Sequence, residues 1–300
     1  MLCGILAAVC YGTNPLGALK LYEQGMPTGS VLFFRFGIAW IIIALVMFIR
    51  SLPAGKGRPP RETLRVTWRE FGALTALGLL FTISSLTLYL SFHLMDAGVA
   101  STILFTYPVM TAVIMALFFH ERAGWATIAA IALSVLGVAL LYWGDGSATL
   151  PVVGVILVLL SALSYALYII VVNRSNLTMS SFKINFFVLL YCAVGMLIYS
   201  FASGQPLTMP QNGTSWFYVG WLAIVPAIMA LVLLVYAAKY IGSTTTAILG
   251  ALEPLTAVLI GIFVFGESFT LTLALGIALI LIAVTIIVTR NSNSRHANDE

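Results

Sequence analysis

Charge is what this chain has least of. Of its 300 residues 14 are Lys or Arg and 10 are Asp or Glu, 8% together, against 61% hydrophobic residues. A water-soluble protein needs far more polar surface to cover a core, so the natural solvent of this chain is a lipid bilayer. Cysteine is scarce too. Cys3, Cys10 and Cys192 all sit in apolar runs, with neither the paired spacing of a disulfide framework nor the histidine company of a metal site. The chain has three histidines, and no His-Glu-x-x-His or Gly-x-Ser-x-Gly pattern. No catalytic residue, metal or cofactor is therefore expected. The Gly-x4-Gly-Lys phosphate loop is missing as well, which argues against ATP as an energy source. The first apolar run has no basic segment before it and no small-residue cleavage site after it, so Met1 is expected just outside the first span.

What the chain does have is apolar length. A helix needs roughly 20 apolar residues to cross about 30 Å of hydrocarbon. Uncharged runs place spans near 2–19, 28–49, 71–92, 97–119, 124–143, 151–173, 182–203, 214–238, 243–266 and 269–289. The stretch 184–238 is too long for one span, and "SGQPLTMPQNGTS" (203–215) divides it. The remainder, 290–300, is polar and expected to be disordered. Ten crossings put 12 of the 14 basic residues on one side, including Arg50, Lys56, Arg58, Arg61, Arg65 and Arg69 of the 50–70 loop, and leave Lys20 and Arg35 toward the other. By the positive-inside rule both termini are cytoplasmic, and a missed or invented span in the middle would have scrambled the count. The net charge of +4 is thus an orientation signal, with no nucleic-acid partner implied.

The chain also repeats itself. "LFTYPVMTAVIMALFFHER" (104–122) and "GALEPLTAVLIGIFVFGES" (250–268) each carry a glutamate thirteen residues after a proline, Pro108 with Glu121 and Pro254 with Glu267, at a common offset of 146. "YGTNPLGALK" (11–20) and "YALYIIVVNR" (165–174) both run from a tyrosine to a basic residue nine positions on. The fold expected is an all-α membrane protein of ten transmembrane helices as two five-helix repeats, residues 1–145 and 146–289, with 290–300 as a tail. Five is odd, so the second copy is inverted. Inverted repeats underlie many transporters, with the substrate near the midplane between the halves. Pro108 and Pro254 are expected to break their helices there, which is tolerated where the kink is buried in protein or lines a water-filled cavity. Two readings are open for Glu253: it satisfies freed backbone donors or a hydroxyl such as Thr246, or it binds substrate or proton.

"YGTN" (11–14), "FFRF" (33–36), "TYPVMTAV…HE" (106–121) and "LEPLTAVL…GE" (252–267) resemble the drug/metabolite transporter superfamily with its two EamA-type repeats. The resemblance covers essentially the whole chain. It implies ten helices, alternating access, and a central cavity lined by the first, third and fourth spans of each half. The chain is also similar to the YddG-type exporters of aromatic and other amino acids. Where those tend to carry tryptophans beside the fourth-span proline and in the sixth span, this chain has Tyr107 and Tyr165.

The substrate-binding candidates are Tyr107, Tyr165, Tyr11, Asn14, Ser84, Tyr89, Tyr168 and Glu253. Tyr107 and Glu253 are repeat counterparts, each preceding a proline, as Tyr11 and Tyr165 are in the first and sixth spans. An aromatic cavity with a few polar handles suits an amphipathic metabolite; interfacial-belt or core packing is the competing role for any single tyrosine. His93 and Asp96 stand one turn apart, either as a proton-responsive pair or as solvated surface. Arg35 either snorkels to headgroups or pairs with a carboxylate. The function expected is export of small metabolites, amino acids first, by an integral protein of the bacterial inner membrane. The rivals are a carrier of nucleotide sugars, sugar phosphates or drugs, an intramembrane enzyme and a lipid-flipping protein. The expected partners are a small-molecule substrate and the lipid bilayer.

Overall fold

Apolar runs that must satisfy their own backbone in lipid fold as helices, and every regular element among the described residues is a helix. The computed structural model describes residues 1–51, 64–119, 125–143, 150–175, 179–241, 246 and 249–299. The first half holds α1 (Leu2–Gly12), α2 (Asn14–Glu23), α3 (Thr28–Ser51), α4 (Trp68–Ser91), α5 (Ala97–Leu104), α6 (Tyr107–Phe118) and α7 (Trp125–Trp143). The second holds α8 (Val152–Arg174), α9 (Ser181–Ala202), α10 (Gly213–Ile224), a π-helical turn (Val225–Met229), α11 (Ala230–Ile241), α12 (Leu252–Phe265) and α13 (Leu271–Asp299). Taken with their breaks, these make nine helical segments long and apolar enough to cross a membrane, plus the shorter α12, which belongs to the ninth span.

The packing is that of two related halves. Helix α7 lies on α13 and α3 on α9, each against its own repeat counterpart, and α5 packs on α12 across the two halves. The contact of α4 with α8 is mirrored by that of α11 with α1, and the contact of α6 with α8 by that of α12 with α1. Direction follows from the glycines at the contacts. Gly137 meets Ile280 and the Gly276 carbonyl, while Gly276 meets Leu141, so α7 and α13 run antiparallel. Counterparts that run in opposite senses make the repeat an inverted one.

One end of the bundle gathers the connections 24–27, 92–96, 203–212 and 266–270: Gln24 bonds Ser215, Ser30 bonds Thr208, and Glu267 bonds Ala97. We call it the distal end. At the other end Lys183 Nζ donates to the Arg65 carbonyl at 2.7 Å, and Gly4 packs on Ile241 and Leu249.

Three boundaries differ from the expected ones. The first span runs on to Glu23 instead of stopping before Lys20, because Lys20 and Glu23 pair at 2.8 Å on the last turn. The third begins at Trp68, before its charged Arg69 and Glu70, because Thr67 and Glu70 form a reciprocal capping box. Helix α13 continues to Asp299 in place of a disordered tail; residues 290–299 hold no glycine or proline to stop it.

Helix breaks lie at Pro108 and Pro254, where they are expected, and the prolines take helix-starting positions. Pro15 and Pro108 sit at the second helical position of α2 and α6, and Pro254 in the first turn of α12. A missing N–H costs nothing there, so each starts a fresh helix instead of bending a continuous one. The carbonyl of Gly250, which Pro254 leaves without its helical donor, accepts from the Glu253 N–H at 2.9 Å. These breaks are only partly symmetric. Helices α4 and α8, which contain no proline, are continuous, whereas their counterparts break at Thr13 and loosen into the π turn around Pro226.

Candidate functional site

Tyr107 opens α6, and the break before it aims its ring at the second half. It meets the Tyr165 ring edge to face, centroids 4.7 Å apart. Tyr165 and Tyr168, one turn apart on α8, lie nearly parallel with centroids at 5.8 Å. Phe81 of α4 contacts both, at 6.2 and 5.3 Å, and Phe105 stands 5.8 Å from Tyr107. The aromatic group is thus shared between the halves.

Glu253 and Tyr11 border the same group. A Cβ on Gly12 would lie 2.6 Å from the Glu253 carbonyl, so the end of α1 and the start of α12 touch backbone to backbone. Gly12 follows Tyr11 directly, so this contact brings Tyr11 and Glu253 together. Glu253, Tyr11, Tyr107 and Tyr165 all keep part of their surface accessible.

A polar relay leads away from this group. Asn14 Nδ2 donates to the Tyr11 carbonyl at 2.8 Å, the Tyr89 hydroxyl donates to Asn14 Oδ1 at 3.3 Å, and Arg35 Nη1 donates to the Tyr89 hydroxyl. Arg35 is only 6% exposed. It neither snorkels to a surface nor forms an ion pair with any carboxylate among the described residues, so neither fate expected of it is met. Its guanidinium lies over the rings of Phe36 and Tyr89, 5.3 and 5.4 Å from their centroids.

Other candidates stand apart. Ser84 is buried in the contact of α4 with α8, where Ser161 Oγ donates to its carbonyl at 2.7 Å and the two hydroxyls bond at 3.1 Å. These bonds join the two helices. Tyr89, 1% exposed, is a link in the relay with no free face. His93 forms no ion pair with Asp96 among the described residues. It stacks on Tyr22 at 4.0 Å, and its Nε2 lies 3.0 Å from Thr28 Oγ1. Burial lowers the His93 pKa and raises that of Asp96. Glu121, His120 and most of the 50–70 loop lie outside the described residues.

Three participants escaped the sequence reading. Phe81 is one phenylalanine among many in apolar spans and carries no signal. Trp221, whose Nε1 donates to Thr13 Oγ1 at 3.3 Å across the break in the first span, is hidden likewise. Glu267 was visible as half of a repeat, but its carboxylate turns out to accept the N–H groups of Ala97 and Gly98, at 2.9 and 3.3 Å. It caps α5 from the other half.

The comparison with known proteins agrees with this architecture. A model of the EamA-like transporter family matches residues 1–143 and again 152–289. An uncharacterized transporter of Archaeoglobus fulgidus is 28% identical over 267 residues, 89% of this chain and 88% of that one. The uncharacterized inner membrane transporter YicL of Salmonella typhimurium is 24% identical over 282 residues, 90% and 89% of the two chains. A solved structure, titled only as the crystal structure of a protein, shares the fold with a TM-score of 0.66 at 18% identity, over 95% of this chain and 94% of its own. The related chains are named as transporters and not as enzymes. With both of its repeats matched, this chain belongs to the EamA-like transporter family.

Proposed function

We propose that this transporter exports small amphipathic metabolites, amino acids first and aromatic ones among them, by alternating access to the interior between its two repeats. The observation that carries the reading is the Tyr107–Tyr165 pair, one ring from each half at 4.7 Å, with Tyr11 and the Glu253 carboxyl beside it. An aromatic wall gains from burying an apolar side chain and stacking on it, while hydroxyls and a carboxyl hold polar ends. Because the wall is built from both halves, rocking one against the other rebuilds it toward the opposite side of the membrane. Glu253 is then a group for the substrate's ammonium or for a coupling proton. The membrane is the bacterial inner membrane, with both termini in the cytoplasm; the uneven distribution of Lys and Arg supports that orientation.

Purified protein in liposomes, assayed for uptake of labelled phenylalanine and a panel of other solutes, tests this. Saturable, protein-dependent flux of amino acids is expected, weakened in Tyr107→Ala. Flux of nucleotide sugars or sugar phosphates with none of amino acids would overturn it.

A further inference from the structure

The third helix carries its one basic residue before Arg50 in the middle of "FFRFGIAW" (33–40), and that residue is buried. A fixed charge removed from water costs several kcal/mol unless it is paired. A guanidinium has five N–H donors. Among the described residues Arg35 finds one hydrogen-bond acceptor, the Tyr89 hydroxyl, and two aromatic faces. Its Nε is buried without an acceptor. Helix α3 thus holds a cation whose compensating anion is not supplied by the described residues.

The surroundings fix where that cation acts. Tyr89 has its own hydroxyl proton committed to Asn14, and Asn14 is bonded to the Tyr11 carbonyl. This relay holds the guanidinium in one orientation and ties it to the broken first span. The guanidinium is thereby linked through Tyr89 and Asn14 to the residue, Tyr11, that precedes the Gly12 contact with Glu253.

We propose that Arg35 is the anchor for the carboxylate of the transported solute, and so a determinant of substrate class: compounds bearing a carboxylate over the matching amines. The proposal rests on the transport function given above. A carboxylate accepts two parallel N–H bonds from the planar fork, which an ammonium or amide substrate cannot reproduce. A phosphate monoester would bring a second charge that a lone guanidinium leaves uncompensated. Tyr89 and Asn14 are then positioning residues that act through Arg35.

The test is uptake into liposomes of labelled phenylalanine and of its decarboxylated counterpart, phenethylamine, by the native protein, Arg35→Gln and Arg35→Lys. Phenylalaninamide and phenyl phosphate serve as competitors. The KM for phenylalanine is expected to rise about tenfold or more in Arg35→Gln, the scale of losing a charged hydrogen-bonded pair, with Arg35→Lys between. The KM for phenethylamine should stay within about twofold of native on the same scale. Equal loss for acid and amine, or loss for neither, overturns the proposal and leaves a purely structural arginine. Stronger competition by phenyl phosphate than by phenylalanine overturns the assignment to carboxylates. Should Arg35→Gln fail to fold, by loss of monodispersity, Tyr89→Phe removes only the hydroxyl that orients the guanidinium. The same selective rise is expected of it, and a proportional loss for both solutes counts against the proposal. Native protein that moves no amino acid sinks the transport reading itself, an outcome separate from native transport with unselective variants.

Discussion

The carboxylate of Glu267 accepts the backbone N–H of Ala97 at 2.9 Å, across 170 positions of sequence and from one repeat to the other. Gly261 and Gly98 make this close approach feasible, since a Cβ on either would lie 2.0 and 3.1 Å from Glu267 Oε2. The distal end of the bundle thus carries a helix cap that belongs to both halves.

Burial raises the Glu267 pKa above the ordinary carboxylate value, while the two N–H bonds pull it down without winning. A carboxyl with a raised folded pKa favours the folded state most below its unfolded value, and that advantage is lost as pH rises through the folded one. The melting temperature of the native protein minus that of Glu267→Gln should therefore fall as pH climbs from about 4.5. A flat difference would contradict this. Glu267→Ala strands two helix N–H groups and should cost about 1–3 kcal/mol.

Close helix contact rests on particular glycines. A Cβ on Gly78 would meet the Tyr191 Cβ at 2.3 Å, whereas one on Gly37 meets nothing within 4 Å. Gly78→Ala should destabilise by about 1–3 kcal/mol through overpacking. Gly37→Ala, in the interior of α3, should be stabilising by about 0.5–1 kcal/mol. Thermal unfolding in detergent ranks the two; similar values would speak against the α4–α9 contact.

The serine clasp between α4 and α8 makes an ordered prediction. Ser161→Ala removes both the bond to the Ser84 carbonyl and the bond between hydroxyls, while Ser84→Ala removes only the second. Each such bond contributes about 0.5–1.5 kcal/mol, so Ser161→Ala should be the more destabilising. Neither should change the KM for an amino acid, and a shift in Ser84→Ala would return that residue to the substrate site.

For the ring pair, a double-mutant cycle of Tyr107→Leu and Tyr165→Leu read in stability should show coupling of about 0.5–1.5 kcal/mol, as edge-to-face aromatic pairs do. Additive losses would mean that the rings do not interact as the 4.7 Å separation implies.

Much of the fold was legible because lipid leaves few choices. Uncharged length gave the spans, and the matched proline–glutamate spacing gave the repeat. The charged residues misled at span ends: Lys20, Arg69 and Glu70 read as boundaries although they lie inside helices. The third start was recoverable from "TWRE" (67–70), a capping-box pattern. Of the site candidates, Tyr107 and Tyr165 were singled out by repeat and resemblance, Tyr11 and Glu253 by the repeat and Tyr168 by its depth, and the rings of Tyr107, Tyr165 and Tyr168 lie together. The bonds of Ser84 with Ser161 were not legible, because depth in a span does not specify which face of the helix a hydroxyl takes. Arg35 was legible as a charge, but its burial depends on Tyr89 of another helix, which spacing along the chain cannot reveal.

The central claim is that Tyr107 faces an interior shared by inverted halves and opened to each side in turn. A single cysteine at that position, Tyr107→Cys, on a background with Cys3, Cys10 and Cys192 replaced by alanine, tests it most directly. Membrane-impermeant thiol reagents should label it from either side of sealed vesicles, with labelling slowed by a transported amino acid. Labelling by lipid-soluble reagents alone would place residue 107 against acyl chains and contradict the account.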